Sequence, residues 1–348
     1  MSTRTIYINA RWLLHSPTGV ERYAYQITKS LVNLGALVVL ICPKHGKIHE
    51  AYNTNGFTII RYGIGQSHLW EQIILPWFFL GKRNYVLLSL MGLGSICVPK
   101  NVMTVHDLSF LHKPAWFSRR YSIYYRIMMP LAIRSSSHII TVSAFSKNEI
   151  LHYYPWVDNH LISVVPCAVD KTIFIANEQL REKFVLAVSS LDPRKNFQGL
   201  VNALNNTDIP LRIVGNSGSI FAKLHITPSK NITLLGYVGD EELKTLYNNA
   251  SAFVFPSFYE GFGIPPLEAM ASGCPVIVSD IPVMHEVCSD AAIYCDPFDE
   301  TNIRQVIQEV INYSPTQLKS IAQIGYKNVQ RYSWEQSAQA LIDLLSTL

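Results

Sequence analysis

Strand-length apolar runs alternate with helix-period segments along the whole chain, and this alternation constrains the fold more than any other feature. In the first half the strand candidates are residues 5–9, 37–42, 85–88, 102–105, 138–142 and 161–165, with helical patterns over 19–34, 118–134 and 143–152. The second half repeats the scheme, with strands over 184–188, 211–214, 232–235, 252–255, 276–278 and 292–294 and helices over 198–204, 240–249, 266–272 and 300–312. Alternating β and α units give parallel sheets covered by helices on both faces. The chain of 348 residues is too long for one ordinary core. The expected architecture is therefore α/β, with two Rossmann-like doubly wound domains facing across a cleft. The first spans 1–170 and the second 171–332, the linker lies near 170–183, and a last helix at about 333–348 packs back on the first domain.

Charge divides the chain in the same place. Residues 1–170 carry 16 Lys and Arg against 7 Asp and Glu, a balance of +9, whereas residues 171–348 balance at −5. Two oppositely charged halves suit two domains with different partners. The six cysteines, Cys42, Cys97, Cys167, Cys274, Cys288 and Cys295, form no CxxC pair and no zinc spacing, and are read as free buried thiols of a reducing cytoplasm. Arg4 and Arg11 bracket a strand-length run rather than a signal peptide. No run approaches the ~20 apolar residues of a spanning helix.

Ligands of doubly wound sheets bind at the carboxyl ends of the strands, so the residues after each strand are the informative ones. After the strand at 252–255 comes Glu260-Gly-Phe-Gly-Ile-Pro-Pro-Leu-Glu268, with Gly273 placed as a helix C-terminal cap. Pro265 and Pro266 suit a helix start, which puts the amides of Phe262, Gly263 and Ile264 at an N-terminus that favours an anion, with Glu268 in the first turn. Gly261 and Gly263 allow close backbone approach, and the two carboxylates are acceptors matched to sugar hydroxyls. The stretch fits equally a solvated loop before a capped helix.

After the strand at 184–188, Arg194 and Lys195 offer a planar fork and a point charge suited to a diphosphate, although such a pair is more often plain surface charge. After the strand at 102–105 come His106 and Asp107, where a neighbour can fix an imidazole tautomer. The first β–α turn runs from Arg11 through His15 to Gly19, and Thr18-Gly19 opens a helix with a second cradle of amides. Each signal alone is weak; all four lie at strand carboxyl ends.

These blocks resemble the retaining glycosyltransferases of family 4, which have the GT-B fold. The resemblance rests on the Glu260-x7-Glu268 segment together with Asp192-Pro-Arg-Lys-Asn, Thr104-Val-His-Asp-Leu-Ser-Phe, Thr141-Val-Ser-Ala-Phe-Ser, Val165-Pro-Cys-Ala-Val-Asp and Pro275-Val-Ile-Val-Ser, in order over nearly the whole chain. Members that build bacterial O-antigen and other surface polysaccharides are the most similar. The resemblance implies that Arg194 and Lys195 bind the donor diphosphate, aided by Gly19 and the amides of Gly263 and Ile264. It implies that Glu268 binds the ribose hydroxyls, that the backbone near Tyr237-Val238 meets the base, and that Glu260 and His106 contact the transferred sugar. Arg11, His15 and Asp107 fall on the acceptor side. Ser189-Ser190 stands where Gly-Thr or Gly-Arg is usual, and Cys167-Ala168 replaces the usual Asn-Gly.

The implied reaction is transfer from a nucleotide-diphosphate sugar with retention, by same-face attack in which the leaving phosphate takes the proton. A UDP-hexose or UDP-N-acetylhexosamine is favoured as donor, with GDP-mannose next. No Asp-x-Asp motif is present, so no metal or other cofactor is expected, and Arg194, Lys195 and helix dipoles must stabilise the leaving group. A nicotinamide dehydrogenase is disfavoured because no Gly-x-Gly-x-x-Gly follows the first strand, and no P-loop is present. A GT-B nucleotide-sugar epimerase and a non-catalytic bilobal sugar-binding protein remain as alternatives. Residues 108–148 hold no Asp or Glu but six basic residues, interleaved with Trp116, Phe117, Tyr121, Tyr124 and Tyr125, and the run 69–80 is long enough to lie in an interface. An anionic membrane surface and a polyprenyl-diphosphate-linked or oligosaccharide acceptor are thus the expected partners, with no nucleic acid. The implied location is cytoplasmic, peripheral on the inner face of the cytoplasmic membrane.

Overall fold

The computed structural model describes residues 4–177, 181–215 and 230–348. The chain divides into two compact units, one of Met1–Leu108, Ile123–Cys167 and Trp334–Leu348, the other of Ser109–Ser122 and Ala168–Ser333. The division expected at 170 and the placing of 109–122 in the first domain differ from this. Residues 109–122 group with the second unit because His112 lies over Tyr259 at 4.9 Å and Trp116 is near-parallel to Phe258 at 6.4 Å. Of the expected linker, residues 178–180 lie outside the described residues.

In the first unit β1 (Thr5–Asn9), β2 (Val38–Pro43), β3 (Thr58–Tyr62), β4 (Tyr85–Ser89), β5 (Asn101–Val105), β6 (His138–Thr141) and β7 (Ile162–Val164) form one sheet of order β3-β2-β1-β4-β5-β6-β7. All its pairings are parallel. The helices are α1 (Gly19–Asn33), α2 (Leu75–Phe79), α3 (Ser109–His112), α4 (Arg119–Ser135) and α5 (Ala144–Tyr153), of which α3 and the start of α4 belong to the second unit. A wide helical turn, Trp70–Ile74, leads into α2, and Trp70, Leu75 and Phe79 are buried with Ile41, Tyr85, Leu87 and Val98. Each such side chain contributes about 1.5–3 kcal/mol through the apolar area it removes from water.

In the second unit β8 (Val185–Val188), β9 (Leu211–Val214), β10 (Ile232–Gly236), β11 (Ala252–Phe255), β12 (Val276–Ser279) and β13 (Ile293–Cys295) form a parallel sheet of order β10-β9-β8-β11-β12-β13. Its helices are α6 (Phe197–Leu204), α7 (Asp240–Asn249), α8 (Ile264–Ala271), α9 (Pro282–Cys288), α10 (Glu300–Ile311) and α11 (Pro315–Val329). The last helix, α12 (Trp334–Thr347), joins the first unit: Trp334 meets Tyr23 of α1 edge-on at 5.9 Å, and Ser337 donates to the Pro166 carbonyl at 2.8 Å. The cysteines are free; five are buried, whereas Cys97 is exposed, contrary to expectation.

In each sheet the strand order reverses once, between β1 and β4 and between β8 and β11. At such a switch point the connections leave toward opposite faces, opening a crevice at the strand carboxyl ends.

Candidate functional site

At the second unit's switch point, the loops after β8 and β11 bring Arg194, Lys195 and Glu260 together. Asp192, fully buried, starts the turn: its Oδ1 accepts from the Arg194 amide at 3.0 Å, and Ser190 Oγ donates to its Oδ2 at 2.8 Å. Ser190 of the unusual Ser-Ser pair thus braces the residue that shapes this turn. Ser189 runs beside Gly215, whose φ of +148° and 1.7 Å separation between an added Cβ and the Ser189 oxygen admit only glycine. Pro193–Lys195 then form one tight turn, ended by Asn196 in the left-handed region at φ 55°.

Lys195 Nζ lies 2.7 Å from Glu260 Oε1, with the two side chains 9% and 8% exposed. The Arg194 guanidinium donates to Ser109 Oγ at 3.0 Å, its Nε lies 3.6 Å from Asp192 Oδ1, and its carbonyl accepts from the Phe258 amide. Two cations and two carboxylates, those of Glu260 and Asp192, therefore share a nearly dry location, where electrostatic interactions are stronger than in water.

The helix after Glu260 begins as expected. Gly263, at φ +109°, is the N-terminal cap of α8, Pro265 and Pro266 occupy its first turn, and Phe262 is buried edge-on to Tyr332. The helix opens at Ile264, so Glu268 is its fifth residue and sits in the second turn rather than the first. There its Oε2 accepts from the hydroxyl of Tyr247 at 3.0 Å. Gly273, at φ +66°, follows the helix end. Beyond β10, Tyr237 is 55% exposed and Val238 is buried.

The first unit has its own cluster at the carboxyl ends of β1, β4 and β5. His106 Nε2 lies 2.9 Å from the Leu90 carbonyl, and its ring meets Tyr23 edge-on at 5.0 Å. A carbonyl only accepts, so Nε2 carries the hydrogen and Nδ1 of the neutral ring is the acceptor. Burial holds the imidazole pKa below its ordinary value, outweighing the Leu90 hydrogen bond and the charges of Asp107 and Glu21. Asp107 thus acts on His106 through its charge, while the Leu90 carbonyl fixes the tautomer.

The N-terminus of α1 departs from the expected open cradle. Glu21 accepts from both the amide and the hydroxyl of Thr18, and lies 3.6 Å from His15 Nδ1. The protein's own carboxylate thus already meets that helix end. Burial raises its pKa, but the hydrogen bonds of His15 and Thr18 bring it below the usual range. Space nevertheless remains beside Gly19, where an added Cβ would meet nothing within 4 Å. Arg11 is buried, with Nη2 3.7 Å from Glu71 Oε2. Glu71 is wholly buried and accepts from Asn9 Nδ2 at 2.6 Å.

Sequence reasoning did not single out Tyr247, Ser109, Asn9 or Glu71. The available signals were the place of Ser109 in the Thr104-Val-His-Asp-Leu-Ser-Phe block and that of Glu71 as an isolated carboxylate in the apolar run 69–80.

Two family models divide the chain, "Glycosyltransferase Family 4" over residues 17–172 and "Glycosyl transferases group 1" over 169–328. The O-antigen chain mannosyltransferase RfbU of Salmonella typhimurium is 31% identical over 323 residues, covering 87% of this chain and 90% of the relative. The chain is a family-4 glycosyltransferase. O-antigen chain mannosyltransferase B of Escherichia coli is 30% identical to this glycosyltransferase over 269 residues, covering 71% of the chain and 70% of that relative. Among solved structures, sucrose-phosphate synthase of Thermosynechococcus elongatus superimposes with a TM-score of 0.76 at 18% identity, covering 99% of this chain and 98% of that one. Anabaena HepE in complex with UDP and glucose gives 0.76 at 16% identity, covering 99% and 100%. These two likenesses carry the GT-B fold.

The surface of the first unit adds one feature. Leu69, Ile73, Trp77 and Leu80 are exposed on one side of the turn and helix whose other side is buried, and Ile123, Ile127 and Leu131 are exposed along α4. Arg126 and Arg134 are exposed beside them, and Arg119 and Arg120, which group with the second unit, are exposed at the start of the same helix. Trp116 and Phe117, two of the aromatics interleaved with the basic residues, are buried and do not belong to this surface. Among the described residues no helix is long and apolar enough to cross a membrane.

Proposed function

We propose that the glycosyltransferase moves a mannosyl residue from GDP-mannose, with retention, to a polyprenyl-diphosphate-linked or oligosaccharide acceptor of O-antigen assembly. The observation that carries the reading is the buried Lys195–Glu260 ion pair, with the neighbouring buried Arg194, at the second unit's switch point. The sequence reading put UDP-sugars first; the relatives named as mannosyltransferases support mannose ahead of them. The UDP held by Anabaena HepE supports a nucleotide-sugar donor in general.

In this reading Arg194 and Lys195 meet the diphosphate, and Lys195 shares its three donors between Glu260 and phosphate oxygen. The amides of Phe262, Gly263 and Ile264 add the positive end of the α8 dipole. Glu268 takes the ribose hydroxyls, and the backbone at Tyr237-Val238 takes the base. Glu260 holds the transferred sugar, and His106 of the first unit presents Nδ1 as an acceptor for a substrate hydroxyl. Preorganised positive charge stabilises the diphosphate as it leaves, and the departing phosphate accepts the acceptor's proton. Metal independence is part of the proposal. With excess EDTA, acceptor-dependent release of GDP should continue at the full rate; strict dependence on Mg²⁺ or Mn²⁺ would reject it. Release of GDP without acceptor would favour the epimerase reading.

The exposed apolar residues of 69–80 and of α4, with the arginines beside them, support peripheral binding to an anionic leaflet, as a lipid-linked acceptor requires.

A further inference from the structure

The Tyr247 hydroxyl that donates to Glu268 Oε2 belongs to a fully buried ring. That ring is held edge-on by Phe253 of β11 at 5.4 Å and by Phe174 at 5.9 Å. The backbone beneath it is clamped as well. Arg181 Nη1 donates to the carbonyls of Tyr247, Asn248 and Ala250 at 2.9, 2.8 and 3.0 Å, and Nη2 donates to those of Ser272 and Gly273 at 3.3 and 2.6 Å. These carbonyls are at the C-terminal ends of α7 and α8, where helices leave acceptors unpaired and the dipole favours a cation. One guanidinium thus ties the helix that carries Tyr247 to the helix that carries Glu268. Asn248 adds a second tie, accepting from the Asn177 amide at 2.8 Å and donating to the Ile175 carbonyl at 3.1 Å.

We propose that Tyr247 is a positioning residue for the donor nucleoside: its hydroxyl fixes the plane of the Glu268 carboxylate against the ribose hydroxyls, and Arg181 holds the α7–α8 frame in which this happens. The inference rests on the reading of Glu268 as the ribose-binding carboxylate. A hydrogen bond from a rigid, buried phenol limits the rotation of a carboxylate and favours its charged form. A hydroxyl donor on the ligand then meets an acceptor already aimed at it, with less ordering left to do on binding.

Tyr247→Phe keeps the ring and its packing and removes the hydroxyl alone. It should raise the KM for GDP-mannose by about five- to tenfold and leave kcat within about twofold. GDP and 2′,3′-dideoxy-GDP are the binding probes, replaced by the uridine pair if the enzyme takes UDP-mannose. The wild type should prefer the nucleotide with hydroxyls, and Tyr247→Phe should narrow that preference. In a Glu268→Gln background, Tyr247→Phe should change donor KM no further. Additive effects, or a fall in kcat at constant KM, would overturn the positioning role. If Glu268→Gln itself leaves KM and the dideoxy preference unchanged, the ribose assignment fails and the inference fails with it. If Glu268→Gln weakens the donor and Tyr247→Phe does not, only the inference fails. Arg181→Lys retains the charge without the fork and should weaken donor affinity in the same direction; an unchanged KM would remove Arg181 from the device.

Discussion

Removing one member of the Lys195–Glu260 pair should damage stability and activity together, and removing both should restore only stability. At 2.7 Å the direct attraction is about 6 kcal/mol with an effective dielectric constant of ~20. Taking each ion out of water costs several kcal/mol, so the intact pair contributes close to nothing net. Leaving one partner alone in the same dry place costs about 3–5 kcal/mol. For a unit of this size each kcal/mol lowers Tm by roughly 2–4 °C, so Lys195→Met or Glu260→Met should lower its transition by about 6–20 °C. The double variant Lys195→Met/Glu260→Met has no stranded charge and should melt within a few degrees of the wild type. Activity should not follow: Lys195→Met removes a preorganised donor and should lower kcat by about 10²–10³, and the double variant should be no better. Differential scanning calorimetry and steady-state kinetics on the three variants measure both quantities. A double variant as unstable as the singles, or single variants that melt like the wild type, would refute the desolvation argument.

Burial lowers the pKa of His106, and burial with the charge of Lys147 lowers that of His138, both from 6.5. The unfolded chain therefore binds these protons more tightly, so their contribution to stability is complete above pH 6.5 and is lost as pH falls through the lowered values. Urea unfolding from pH 7.5 to 5 should show that loss, and His106→Asn should flatten part of it. Gly263→Ala places a Cβ at φ +109° and 2.8 Å from Met284 Cε. It should cost about 1–3 kcal/mol in urea unfolding, and adding Met284→Ala should not recover it because the backbone strain remains. Flotation should show binding to vesicles containing anionic lipid that weakens with salt and is abolished when Arg119, Arg120 and Arg126 become Glu. Binding to neutral vesicles alone would reject the basic surface of α4 as its cause.

The parallel sheets were legible because buried strands such as Phe253-Val254-Phe255 are continuous apolar runs ended by turn residues. The edge strand β3 escaped because Thr58 and Arg61 are exposed, leaving only Ile59-Ile60 as apolar signal. α9 and α11 were also unassigned, although each opens with proline near its start. At the candidate site, charged residues after strands stood out, since position and residue type are both visible in a sequence. Their partners did not. Nothing local in the sequence tells that Lys195 meets Glu260, 65 residues away, or that Tyr247 meets Glu268 across two helices. The occupied N-terminus of α1 is the converse: Thr18-x-x-Glu21 is a capping box readable from spacing alone, and its carboxylate competes with the anion that Gly19 was expected to receive.

The central claim is retaining mannosyl transfer from GDP-mannose. Purified enzyme, GDP-[¹³C]mannose and a polyprenyl-diphosphate-linked acceptor, followed by the one-bond C1–H1 coupling of the newly attached sugar, test it directly. The expected coupling is that of an α-mannoside formed from the α-linked donor; a β-mannoside, or a wild-type enzyme that releases GDP without attaching mannose to any acceptor, would overturn retaining mannosyl transfer.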